Sequence, residues 1–328
     1  MAAVYSKIKA DDYNIMQQKV SNVLGIGSGQ SGWGQPVQST PVTTSNAVTI
    51  NEFNNLRYDI INSYVHLYNA TPSVNSLFEG EKVRFNASNQ PVSYWETLAN
   101  DIVAKKNQLA VAGQRRTVNH ATASQTWPGS LGVNWSDGLY CIVTVEFLSG
   151  EDARKFFNSG STIDFTSSRT SGATTNQNAS WTSLLSTAGT QQFGGNTPGT
   201  GTSPSDGTNF FKLQSTFGTP WFAFYASSPY ALNFYRCSAR CPDQPNNTSG
   251  TASKIEFKID WVDDHFELGG DPADGQNPGT GTYGPDAVDG QLTLNVSTTE
   301  ATGTLVPASA GSFSIATPNV VIGPILVA

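Results

Sequence analysis

Asp263, His265 and Glu267 occupy alternate positions just past an apolar, strand-like run, so an extended backbone places two carboxylates and an imidazole on one face. Oxygen-rich sets of this kind suit Ca2+ or Mg2+, and Asp271, Asp274, Asp286 and Asp289 follow in the adjacent Gly/Pro-rich stretch. Their spacing matches no EF-hand loop, and the plainer interpretation is a solvated strand end running into a loop. The chain is therefore expected to need no cofactor, with Ca2+ at Asp263, His265 and Glu267 as the metal candidate.

Other groups with chemical potential are sparse. The remaining histidines are His66, on a helical stretch that reads as packing, and His120, beside Arg115 and Arg116 in a polar segment with no nucleophile marked out. Cys237-Ser-Ala-Arg-Cys241 has no Cys or His partners to complete a zinc site, which needs four ligands. With Cys141 these cysteines are expected to be free thiols, a local disulfide being the alternative. Gly27-Ser-Gly29-Gln-Ser-Gly32 matches the dinucleotide fingerprint letter by letter. The mechanism needs a strand before it and a helix opening on the last glycine; here a helical pattern precedes it and Trp33-Gly-Gln-Pro follows. It reads as a Gly-rich linker. No phosphate-binding loop or nucleophile elbow is present, and nothing marks a carboxylate pair for glycoside hydrolysis. The expectation is a protein that is not an enzyme. Trp127, Trp135, Trp181, Trp221, Phe222 and Tyr225 either stack on sugars or fill the core of a β-sandwich.

The composition narrows the partners. Only 13% of the 328 residues are charged, the net charge is −7, and Ser, Thr, Asn, Gln and 31 glycines take the place of the missing charge. With 35 aromatic residues the chain has ample material for a core, which excludes a disordered polyelectrolyte. Phosphate neutralisation requires clustered Lys and Arg, so no nucleic-acid partner is expected. No apolar run approaches a membrane span or a signal-peptide core, so neither a membrane partner nor signal-dependent export is expected. A neutral, hydrogen-bonding surface on a protein kept in a cytoplasm fits a virion component, assembled in the host cell and acting after lysis, or a protein secreted by a signal-independent system.

Helical patterns dominate residues 1–115. Asp11 or Asp12 can cap a helix with Tyr13, Met16, Val20 and Leu24 on its apolar face, stopped by Gly25. Thr49-Ile-Asn-Glu52 has capping-box spacing ahead of Phe53, Leu56, Ile60, Tyr64 and Leu67, and Ser93-Tyr-Trp-Glu96 repeats it ahead of Leu98, Ile102 and Leu109. Over residues 116–328 the period shortens to two. Strands are expected at 139–147, 161–166, 210–216, 221–226, 230–236, 254–262, 291–298 and 312–317, with short helices at 151–157 and 180–185 ended by Gly160 and Gly189. The apolar residues 319–328 should pair with a sheet edge, their own or a neighbouring subunit's. The fold class is α+β: a small N-terminal helical module, 1–115, followed by a mainly antiparallel, jelly-roll-like β-sandwich, 116–328.

Two stretches carry a family resemblance. One runs from Tyr13-Asn-Ile-Met through Val23-Leu-Gly-Ile-Gly-Ser-Gly29 to Gly32-Trp-Gly-Gln35; the other is Gly150-Glu-Asp-Ala-Arg-Lys-Phe-Phe-Asn-Ser-Gly160 with Gln177-Asn-Ala-Ser-Trp181 beyond it. Together they resemble uncharacterised virion structural proteins of tailed bacteriophages, especially contractile-tailed cyanophages. The resemblance implies a non-enzymatic particle component, in the tail, neck or baseplate periphery, with other copies of itself and other virion proteins as partners. The alternatives are a receptor-recognition module that binds host-surface glycan and a capsid-decoration protein.

Overall fold

The structure is a computed structural model that describes residues 9–44, 46–68, 70–78, 92–106, 115–127, 138–172, 174–195, 200–201, 208–263, 288–301 and 315–327. The chain packs as two units that are not successive segments: one comprises residues 1–116, 151–161 and 299–317, the other 117–150, 162–298 and 318–328. A helix and a later segment therefore join the N-terminal helices, which a single division at residue 115 does not anticipate.

In the first unit, α1 (Ala10–Leu24), α2 (Ile50–Tyr68) and α3 (Val92–Ala104) pack against one another. Tyr13 of α1 meets Phe53 of α2 edge-on at 5.4 Å, and Phe53 meets Trp95 of α3 at 5.7 Å. One ring from each helix thus forms the bundle centre. The expected capping box opens α2: the Thr49 N–H donates to Glu52 Oε2 at 2.5 Å and the Glu52 N–H to Thr49 Oγ1 at 3.3 Å. Two other helix starts differ from expectation. Lys9 caps α1, and Asp12 accepts its N–H from inside the first turn. Ser93 lies within α3, which already includes Val92. The fourth helix, α4 (Gly150–Asn158), buries Phe156 and Phe157 and ends at Gly160, whose φ of 83° is the left-handed turn its sequence requires.

The second unit is sheet-rich. The strands are β1 (Arg115–Trp127), β2 (Leu139–Glu146), β3 (Thr162–Thr170), β4 (Thr190–Phe193), β5 (Thr200–Gly201), β6 (Phe222–Tyr225), β7 (Phe234–Arg240), β8 (Lys254–Val262), β9 (Gly290–Ala301), β10 (Asn319–Ile322) and β11 (Leu326–Val327), all in this unit except the first two residues of β1 and the last three of β9. One sheet has the order β1-β9-β3-β4, the other β10-β2-β8-β7-β6-β5 with β11 also on β2. In the second sheet β10 and β11 on β2, β2 on β8, β8 on β7 and β7 on β6 pair antiparallel, as does β3 with β4 in the first, whereas β5 runs parallel to β6. The sheets meet through rings: Phe165 of β3 and Phe193 of β4 lie 4.8 and 4.9 Å from Phe257 of β8. Alternation delivers that face, with Ile255, Phe257, Ile259 and Trp261 all fully buried while Lys254, Glu256 and Lys258 point outward. The α+β class and the sandwich arrangement are as the sequence implies.

The apolar C-terminal segment pairs with its own sheet, Asn319 opposite Glu146 through Ile322 opposite Val143, then Leu326 opposite Tyr140. A helix, α5 (Asn176–Ala188), packs on β3, β6 and β7, capped by Thr175, whose hydroxyl accepts the Asn178 N–H at 3.1 Å. The expected strand at 210–216 is instead a 3-10 turn at Phe210–Lys212, because Asn209 caps it by accepting the Phe211 N–H. Of the expected strand at 312–317, residues 315–317 have no strand pairing and the others lie outside the described residues. β1 is an addition that no apolar alternation announces.

Candidate functional site

The carboxylate set divides. Asp263 directly follows β8 and is buried, with its Oδ2 accepting from Gln177 Nε2 at 2.6 Å. His265, Glu267, Asp271, Asp274 and Asp286 lie outside the described residues. Asp289 is described and is also buried: the Arg169 guanidinium reaches its carboxylate at 3.3 Å and its backbone carbonyl, and Asn178 donates to Oδ1 at 2.5 Å. Both described carboxylates are thus held by donors on or beside α5. Among the described residues no cluster of three or more His, Cys, Asp or Glu is placed to hold a metal ion.

The described histidines, His66 and His120, and the three thiols occupy structural positions. His66 is buried against Trp33 with ring centroids 3.9 Å apart, and burial pulls its pKa down to about 3. It is a neutral packing ring at ordinary pH. His120, on β1, pairs across to Thr298 of β9, ring nitrogen to hydroxyl at 2.9 Å. Cys141, Cys237 and Cys241 are buried free thiols, and burial pushes Cys141 and Cys241 up to about 11. A thiol held protonated is a poor nucleophile and a poor metal ligand.

The Gly-rich stretch that imitates a dinucleotide fingerprint receives protein donors. Arg154 of α4 donates through Nη1 to the Ser31 carbonyl at 2.6 Å and through Nη2 to the Ile26 carbonyl at 2.5 Å. Asn158 donates to the Gly29 and Gly32 carbonyls at 2.9 and 3.1 Å, and the Trp33 indole N–H returns to the Asn158 carbonyl at 2.9 Å. Gly32, at φ 100°, is fixed by this wrapping, since a Cβ there would collide with the Ile26 carbonyl. The two stretches that carry the family resemblance are therefore each other's partners. Arg154 is buried, and its hydrogen bond lowers the pKa of its partner Glu151 from the ordinary value.

Among the described residues, the second unit carries a groove open to solvent. The groove, of about 440 Å³, runs between one face of α5 and the turn joining β6 to β7. Ser180, Ser183, Leu184 and Thr187 line it from the helix, Phe224 and Tyr225 from the end of β6, and Tyr230 from the turn. The turn is held by its own backbone, Ala226 N–H to the Asn233 carbonyl at 2.9 Å and Asn233 N–H to the Tyr230 carbonyl at 3.0 Å. No charged side chain is among the lining residues. A shallower depression shares Ala179 and Ser183 and continues over Thr182 and Ser186.

Of the aromatic residues flagged by sequence, Trp181, Trp221 and Phe222 are fully buried core, Trp135 lies outside the described residues, and nothing is described of the Trp127 side chain. Tyr225 is the flagged ring that reaches the groove, at 37% exposed. Sequence reasoning missed Ser180, Ser183, Thr187 and Tyr230. The signal was present as hydroxyls recurring at helical spacing along 176–187, but such residues are abundant throughout the chain. No protein-family model, curated protein or solved structure matches this chain.

Proposed function

We propose that this chain is a non-enzymatic structural component of a tailed-phage virion, positioned in the tail, neck or baseplate periphery and assembled with copies of itself and other virion proteins. The observation that carries this reading is the junction of the Gly-rich loop with α4. The resembling stretches use their arginine, asparagine and tryptophan to tie one segment of scaffold to another. A scaffold role also accounts for the neutral packing of His66 and the protonated thiols. The net charge of −7 gives no support to a nucleic-acid partner. Among the described residues no helix is long and apolar enough to cross a membrane.

Mass spectrometry of gradient-purified particles tests the reading. The expected result is this chain at tens of copies per particle or fewer; hundreds would instead identify a capsid-decoration protein, and absence from washed particles overturns the proposal. The groove on α5 favours a second reading, a virion module that binds host-surface glycan, because it joins aromatic rings to neutral hydroxyls.

A further inference from the structure

We infer that the groove between α5 and the β6–β7 turn is a binding site for the end of a neutral, non-acidic oligosaccharide. This rests on the glycan reading and adds its place and its ligand chemistry. The volume, about 440 Å³, falls within the roughly 300–1,000 Å³ typical of small-molecule sites.

The lining selects the ligand by exclusion. A charged ligand would be stripped of water with no counter-charge among the lining residues to replace it. A wholly apolar ligand would cover Ser180, Ser183 and Thr187 and remove water from their hydroxyls without offering a hydrogen bond. A pyranose meets both demands. Its equatorial hydroxyls exchange donors and acceptors with the α5 side, and its C–H face lies against the exposed Tyr225 ring at the rim.

The site is already shaped for this. Tyr225 is braced by Phe234 at 5.4 Å and stays 37% exposed, which limits the freedom lost on binding. Leu184 and Tyr230 are buried beneath, so the floor is fixed by the core. The backbone bonds of the turn hold the other wall. The adjoining depression carries the hydroxyls of Ser171, Thr175, Thr182 and Ser186 beside Arg169, whose charge is paired with Asp289, and gives a longer chain somewhere to run.

The experiment is a titration of the full chain, followed by saturation-transfer NMR, with methyl glycosides and disaccharides of glucose, galactose, mannose, rhamnose and N-acetylglucosamine, and with glucuronic acid and glucosamine as charged comparators. At least one neutral glycoside is expected to bind, ahead of both charged sugars. Tyr225→Ala is expected to weaken that binding about five- to tenfold, and Ser183→Arg, on the exposed helix face, to abolish it. Tyr58→Ala, which removes an exposed tyrosine from α2, leaves it unchanged. Circular dichroism confirms that all three variants are folded. Binding that survives both groove substitutions overturns the site while sparing the glycan reading. Preference for a charged sugar overturns the ligand class, and no binding by any neutral glycoside overturns the site and the glycan reading together.

Discussion

The junction of the Gly-rich loop with α4 and the layer between the two sheets solve burial in opposite ways. At the junction, loop carbonyls accept from the Arg154 guanidinium and the Asn158 amide, and the Trp33 indole N–H donates to the Asn158 carbonyl. Between the sheets Phe165, Phe193, Trp221 and Phe257 meet ring against ring, with centroid separations from 4.8 to 6.4 Å. Hydrogen bonding is directional and leaves a full desolvation cost when one partner is lost. Ring packing is forgiving in angle but unforgiving in volume. The first region is therefore expected to be sensitive to charge and pH, the second to size.

The largest effect is expected in the ring layer. Phe257→Ala removes the ring shared by Phe165 and Phe193 and should cost about 3–5 kcal/mol in chemical denaturation, nearly independent of pH. A strong pH dependence of that cost would break the contrast. Arg154→Met should cost about 2–3 kcal/mol by stranding the Ser31 and Ile26 carbonyls, and Arg154→Lys should recover little of it. The planar fork reaches two carbonyls at once, which an ammonium group cannot reproduce. Full rescue by lysine would show that charge, rather than geometry, holds the loop.

A third effect separates the regions by pH. Folded, His66 stays neutral down to about 3, against an ordinary value of 6.5. Above 6.5 both states are neutral and its contribution is complete; below, the unfolded chain takes up a proton that the folded one refuses. Stability should thus fall as pH drops from 6.5 toward 3, by about 1.4 kcal/mol per unit. Denaturation at pH 6.5 and pH 5 should differ by about 2 kcal/mol from this residue, and His66→Gln should flatten the slope. Asp59 works in the other direction: burial raises its carboxyl despite bonds from Gln38 and Ser39, so acidification toward 3.8 stabilises the fold through that group. Comparing His66→Gln with the parent isolates the histidine. The smallest effect is Glu52→Ala, which opens the capping box of α2 and should cost about 0.5–1 kcal/mol.

Elements whose partners lie nearby in sequence were legible. Thr49 and Glu52 announce α2 because the cap bonds are made within four residues. The alternation from Ile255 to Trp261 announces β8 because one face of that strand is buried. β1 escaped because its cross-strand partners are polar: His120 meets Thr298 and Thr122 meets Asn295, so hydrophobic period carries no signal. Phe210 and Phe211 look like strand residues, yet a single Asn209 side chain turns the backbone. The Gly-rich loop could be recognised as no dinucleotide site, but its true partner is 123 residues away and leaves no local trace. The groove was half legible. Tyr225 stood out as an aromatic residue, whereas Ser180, Ser183 and Thr187 acquire meaning only when α5 places them opposite the turn.

The separation between Ser31 and Arg154 also sets a clock during synthesis. At about 5–20 residues per second, the ribosome adds the 123 intervening residues in ~6–25 s. For that interval the three N-terminal helices emerge with the Gly-rich loop open, its carbonyls served by water alone. The strands β1 and β2 are made before α4 arrives to close it. The helical part therefore cannot finish first and wait for the rest. A nascent chain arrested before Asn158 should be far more open to protease at 25–33 than the released protein.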